Sequence, residues 1–195
     1  MMDLSVTAVL NLARFSVKSP RLAARQILAM AIPDTARWLL FLLVISASAL
    51  LTHVGFALLP AADRAFMETA MSSPLRTALL QAGFLLIAVV AVHRVGRWQG
   101  GIGSFADSLL LVGWLQFILL CLQLGQIIAL LILPLLAEII GIAGLVLSFW
   151  LLTQFILELH GFQSAWKVFL SILGVLFSAA MAASLVLVLI LGAGA

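Results

Sequence analysis

The sequence predicts an all-α protein, a polytopic integral membrane bundle of five transmembrane helices with its N-terminus cytoplasmic and its C-terminus outside. Three observations predict it. The 195 residues are 65% hydrophobic and only 9% charged, against roughly 45–50% apolar and 25% charged in ordinary globular chains. From Trp98 to Trp166 the chain runs 69 residues without a Lys or Arg, too apolar for a water-exposed domain and too long for one crossing. The cations that remain fall in short segments between apolar runs, where they set topology.

A crossing needs about 20 mostly apolar helical residues, because each rises about 1.5 Å and unpaired backbone groups are costly in lipid. On that ruler the domain from 38 to 195 holds five spans. The first is Trp38–Leu59 and the second Leu75–Val95, the latter opened by Ser73 as N-cap and Pro74 at the first helical position. Phe105–Glu158 holds 54 residues, enough for two spans. With Gly125 and Pro134 as candidate breakers, the third is placed at Phe105–Gln126 and the fourth at Leu135–Glu158. The fifth runs from Ala165 to Leu191.

Residues 1–37 form a cytoplasmic leader without the charge order or cleavage site of a signal peptide. Val6, Val9, Leu10 and Ala13 share one side of a short helix, and Asn11, Arg14 and Lys18 another. Ser19-Pro20 starts a second helix with Ala23, Ile27 and Met30 on its apolar face, ending near Pro33. Both are expected to lie on the membrane surface. There Arg14, Lys18, Arg21 and Arg25 would each gain roughly 1 kcal/mol from anionic headgroups. The leader reads as an anchor flanking span one or as a docking surface for a partner.

Lys and Arg are retained on the cytoplasmic side. Arg14, Lys18, Arg21, Arg25 and Arg37, then Arg94 and Arg97, then Lys167 lie on one side, eight of the ten cations; only Arg64 and Arg76 lie opposite. Trp38, Trp98 and Trp166 would sit at the cytoplasmic interface. The formal charge of +3 is therefore assigned to topology, and no nucleic-acid partner is expected.

Polar side chains inside spans are candidates for interaction. Gln116, Gln123 and Gln126 recur at offsets of 7 and 3, on one helix face. That face serves helix packing through amide hydrogen bonds or, alternatively, a polar track of a small transporter or channel component together with His53. Glu138 and Glu158 sit near opposite ends of span four, about 30 Å apart along the helix, so they are not a catalytic pair. His53, His93 and His160 lie on separate segments without metal-ligand spacing. The lone Cys121 excludes an intrachain disulfide. No catalytic, cofactor-binding or metal-binding residue is expected, and an enzyme is the third and weakest reading.

The loop Gly96-Arg97-Trp98-Gln99-Gly100-Gly101-Ile102-Gly103-Ser104 lacks the Gly-Lys-Ser/Thr ending of a phosphate cradle. It reads as a tight reversal in which Ser104 caps span three and Asp107 completes an S-x-x-D box. A related G-x-x-S, Gly161-Phe162-Gln163-Ser164, precedes span five, and each follows a histidine. Spans two-three and four-five then form a pair of similar hairpins.

Ser19-Pro20 followed by Ala23 and Leu28, the five spans, Gly103-Ser104-Phe105-Ala106-Asp107 and His160-Gly161-Phe162 together resemble the bacterial branch of the Yip domain family. Eukaryotic members are Rab (Ypt)-interacting membrane proteins with a longer cytoplasmic domain that has no counterpart in this sequence. The resemblance implies a five-span, non-catalytic protein of membrane organisation, trafficking or complex assembly. It places the chain in a bacterial inner membrane, in contact with lipid and with other membrane proteins or further copies of itself.

Overall fold

A computed structural model describes residues 5–59, 64 and 73–192. The described residues are helical, with no strand. Two short helices, α1 (Val6–Lys18) and α2 (Pro20–Ala29), precede five long ones: α3 (Asp34–Ala57), α4 (Pro74–Trp98), α5 (Phe105–Ile132), α6 (Pro134–His160) and α7 (Ala165–Gly192). All five long helices have the length and hydropathy of membrane spans. They run antiparallel in sequence, so the α3 start, both ends of the α4–α5 turn and both ends of the α6–α7 turn lie at the leader end. The expected Arg64 flank falls on an isolated described residue, and the rest of that loop lies outside the described residues.

The boundaries follow proline and not glycine. Gly125 does not break the third span, which continues to Ile132. A helical glycine costs about 1 kcal/mol, whereas a break in lipid strands several backbone groups. Leu133 alone separates α5 from α6, extended at φ −152°, ψ 105°, because the following Pro134 bars it from the helical region. The expected outer turn thus shrinks to one residue. Ser73 is the N-cap of α4 with Pro74 behind it, yet its side chain makes no capping bond; its carbonyl instead accepts the Thr77 hydroxyl at 3.3 Å.

The core is built around α5. It packs against α3, α4 and α6, while α7 rests mainly on α6. Where α5 meets α6, Gly144 permits close approach: a Cβ there would lie 2.7 Å from Leu122 Cδ2.

The leader does not simply lie beside the bundle. Ala23, Ala24 and Ile27 of α2 and Ala13 of α1 are buried, and Ala13, Ala24 and Ile27 share a core with Leu110, Leu111, Trp114, Leu151 and Phe155. The apolar side expected for α1 is correspondingly rotated, with Val6 and Leu10 exposed and Ser16 fully buried. A hydrogen bond explains the rotation. Ser16 Oγ accepts the Trp114 indole N–H at 2.9 Å and donates to Leu12 O at 2.8 Å.

Candidate interaction site at the leader end

Ion pairs tie the leader and the α3 start to the bundle. Arg25 grips Glu158 through two bonds of 2.7 and 3.3 Å, and Arg21 donates to Phe162 O at 3.1 Å. The carboxylate beside it raises the Arg25 pKa further above its usual range, so the guanidinium stays charged. Arg37 donates to Asp107 at 2.9 Å and to Ile32 O at 2.9 Å. The S-x-x-D box is modified accordingly. Ser104 Oγ accepts the Asp107 N–H at 3.1 Å and donates to the Asp107 carboxylate at 2.6 Å, which turns that carboxylate toward Arg37.

Two histidines clamp the Gly-rich loop. His160 Nδ1 accepts the Gly103 N–H at 3.2 Å, so its Nε2 carries the proton and donates to Val92 O at 3.1 Å. From α4, His93 Nδ1 donates to Gly103 O at 3.2 Å. His160 is buried and stacks on Phe162 at 5.4 Å. It also explains the glycines, because a Cβ at Gly96 or Gly101 would collide with its ring and one at Gly103 would crowd it and Leu159. With both ring nitrogens of His160 engaged, this cluster is a mechanical joint.

The two G-x-x-S segments are alike only in their serines. Ser104 and Ser164 each accept the N–H of the third residue on, at 3.1 and 3.4 Å. Gly101 is buried against His160, whereas Gly161 caps α6 at φ +72° with open space around it.

The span-three amides do not act as one face. Gln123 turns to α3, accepting from Ser48 at 3.0 Å and donating to Thr52 at 3.1 Å; Gln126 turns to α6 and donates to Ala137 O at 3.1 Å. Gln116 is half-buried and makes no side-chain hydrogen bond among the described residues. A further amide, Gln81 of α4, donates to Ser48 at 2.8 Å. Sequence reasoning passed over Ser48, Thr52 and Gln81, although Gln81 met the same criterion as the other amides. Toward the end away from the leader, Thr52, Gln123, Gln126 and Glu138 line a cavity of about 580 Å³. Nearby polarity is incompletely met: His53 Nε2 and Gln81 Oε1 are buried without partners among the described residues. His53 donates through Nδ1 to Ala49 O at 3.0 Å, which leaves Nε2 as an acceptor.

Comparison with known families decides the relationship. A model of the Yip1 domain matches residues 15–193. The chain belongs to the Yip1 domain family. The match starts one residue before Ser16, so the Ser16–Trp114 bond, the Arg25–Glu158 pair and the two-histidine joint all lie within the Yip1 domain. No curated protein and no solved structure matches the chain. Of the residues selected from sequence in this Yip1 domain, Arg21, Arg25, Glu158 and His160 meet at the leader end. Arg14 and Lys18 are exposed on α1, and Glu138 is exposed at the far end.

Proposed function

We propose that this Yip1-domain protein is a non-enzymatic interaction module of a bacterial inner membrane, with the leader end facing the cytoplasm and the C-terminus outside. Its role is membrane organisation or complex assembly, through contact with other membrane proteins or with further copies of itself. One observation carries the reading: the leader is fixed to the bundle by the Ser16–Trp114 bond and the Arg25–Glu158 pair, while Arg14, Lys18, Arg94 and Arg97 project outward. A rigid platform with exposed cations suits recognition. The test is photo-crosslinking in native membranes from Lys18 and from Ile102, both exposed. Capture of a defined protein or a second copy supports the module, and reaction with lipid alone from both positions refutes it.

The large cavity lined by Gln123, Gln126 and Glu138, together with the unpartnered His53 and Gln81 atoms, supports a second reading as a small transporter or channel component. Against it stands the packed layer of Phe41, Ile45, Leu109 and Val112 between that region and the leader end. Solute flux in vesicles that disappears in Gln123→Leu would favour transport over the module.

A further inference from the structure

The far-end cavity of about 580 Å³ lies among α3, α5 and α6 and has the size of an organic ligand site. Four of its lining residues are polar, Thr52, Gln123, Gln126 and Glu138; the others, Phe56 and Leu58 among them, are apolar. Thr52, Gln126 and Gln123 stand five, six and nine residues before the ends of their helices at Ala57 and Ile132, about 8–14 Å in at 1.5 Å per residue. At that depth headgroups give way to acyl chains.

The hydrogen bonds leave acceptors on the cavity wall. Gln123 is engaged on both sides, accepting from Ser48 and donating to Thr52, whose hydroxyl goes to Ser48 O. Gln126 donates to Ala137 O at 3.1 Å, in a position that the glycine at 141 leaves open, since a Cβ there would lie 2.9 Å from the amide nitrogen. Neither Gln126 Oε1 nor the Glu138 carboxylate has a hydrogen-bond or ionic partner among the described residues.

The backbone adds charge of the same sign. Helices α3 and α5 both end at the cavity and only α6 begins there, so two helix C-termini, each about −0.5 charge, outweigh one N-terminus of about +0.5. With Glu138 the wall is net negative, and no cation lines it. A metal ion is a poor match, because the described residues hold no group of three His, Cys, Asp or Glu side chains and a bare ion would leave the apolar walls uncovered. An anion is repelled, and a neutral amphiphile leaves the carboxylate without a counter-charge. An organic ammonium ion gives its N–H groups to Glu138 and Gln126 Oε1, and its chain packs against Phe56 and Leu58.

We propose that this cavity binds an organic ammonium ion carrying an apolar chain, with the ammonium between Glu138 and Gln126. The proposal rests on the cavity of the transport reading and names the class of ligand there, but binding without passage is enough for it.

Calorimetric titration of the full-length protein in dodecyl maltoside with octylammonium, octanol and octanoate, against protein-free micelles, provides the test. Octylammonium should bind several-fold more tightly than octanol, and octanoate least. Glu138→Gln should remove the advantage of octylammonium over octanol. Leu58→Trp should weaken octylammonium by filling the cavity, with Leu58→Phe as the milder filling should the larger residue disturb folding. Asp34→Asn, which removes a carboxylate of the leader end, should change nothing. A missing ammonium preference, one that survives Glu138→Gln, one that Asp34→Asn removes equally, or binding indifferent to both fillings overturns the proposal. Native mass spectrometry after release from vesicles of equal phosphatidylethanolamine and phosphatidylcholine separates the sources of the ammonium. Phosphatidylethanolamine retained by the wild type and lost in Glu138→Gln supports the site with a lipid headgroup as ligand, and octylammonium binding without lipid preference supports it with a free amine. Ammonium binding by a protein that passes no solute removes transport and leaves the site; solute flux without ammonium binding does the reverse.

Discussion

The leader end and the far end are made from the same helices and solve the polar-group problem differently. At the leader end, His160 uses both ring nitrogens, Asp107 and Glu158 each hold an arginine, and Ser16 serves a buried indole. Toward the far end, a chain of hydroxyls and amides runs from Thr52 to Gln81, and two buried acceptors, Gln81 Oε1 and the nearby His53 Nε2, have no partner among the described residues, close to a cavity of about 580 Å³. The difference teaches where rigidity is concentrated. Satisfied buried networks fix one arrangement, and partly satisfied ones leave room for movement or for a guest.

Five substitutions would break or sharpen that contrast. Trp114→Ala should have the largest effect, a loss of about 3 kcal/mol or more from the cavity it leaves, with Ser16 losing its donor and the leader becoming protease-sensitive; unfolding midpoints in detergent measure the first and limited proteolysis the second. Gly101→Ala should cost about 1–3 kcal/mol by forcing the His160 ring aside. His160→Ala in the same chain should remove the clash, so a double variant that is no better than the sum of the singles would disprove the account. At the far end, Gln123→Leu should cost only about 0.6–2 kcal/mol, read from the same unfolding curves, because Thr52 keeps its bond to Ser48 O. Smallest of all, Gly125→Ala should be neutral or stabilising by up to about 1 kcal/mol, since nothing lies within 4 Å of the added methyl. A large loss there would mean that the far end is as tightly built as the leader end.

Much of the fold was legible in sequence because its signals are local. Apolar length gives the five long helices, Pro74 and Pro134 open their helices, and Ser104 caps α5 as its spacing with Asp107 predicts. The site was less legible. Arg25 and Glu158 lie 133 positions apart, and no periodicity joins them. Gln123 and Gln126 share a face by spacing, yet which neighbour each meets depends on where α3 and α6 pack. Val6 and Leu10 looked like the buried side of α1 by hydrophobicity, but a polar residue, Ser16, took that place because the Trp114 N–H required an acceptor.

By itself, then, the sequence determined the number of long helices, their approximate ends and the asymmetry of their cations, since backbone satisfaction in lipid and charge placement act within short stretches of chain. Only the tertiary structure decided that the leader enters the core, that His93 and His160 close on Gly103 from two helices, and that α3, α5 and α6 leave a cavity at the far end. Those outcomes depend on shapes and partners distant in sequence, which the packing of whole helices brings together.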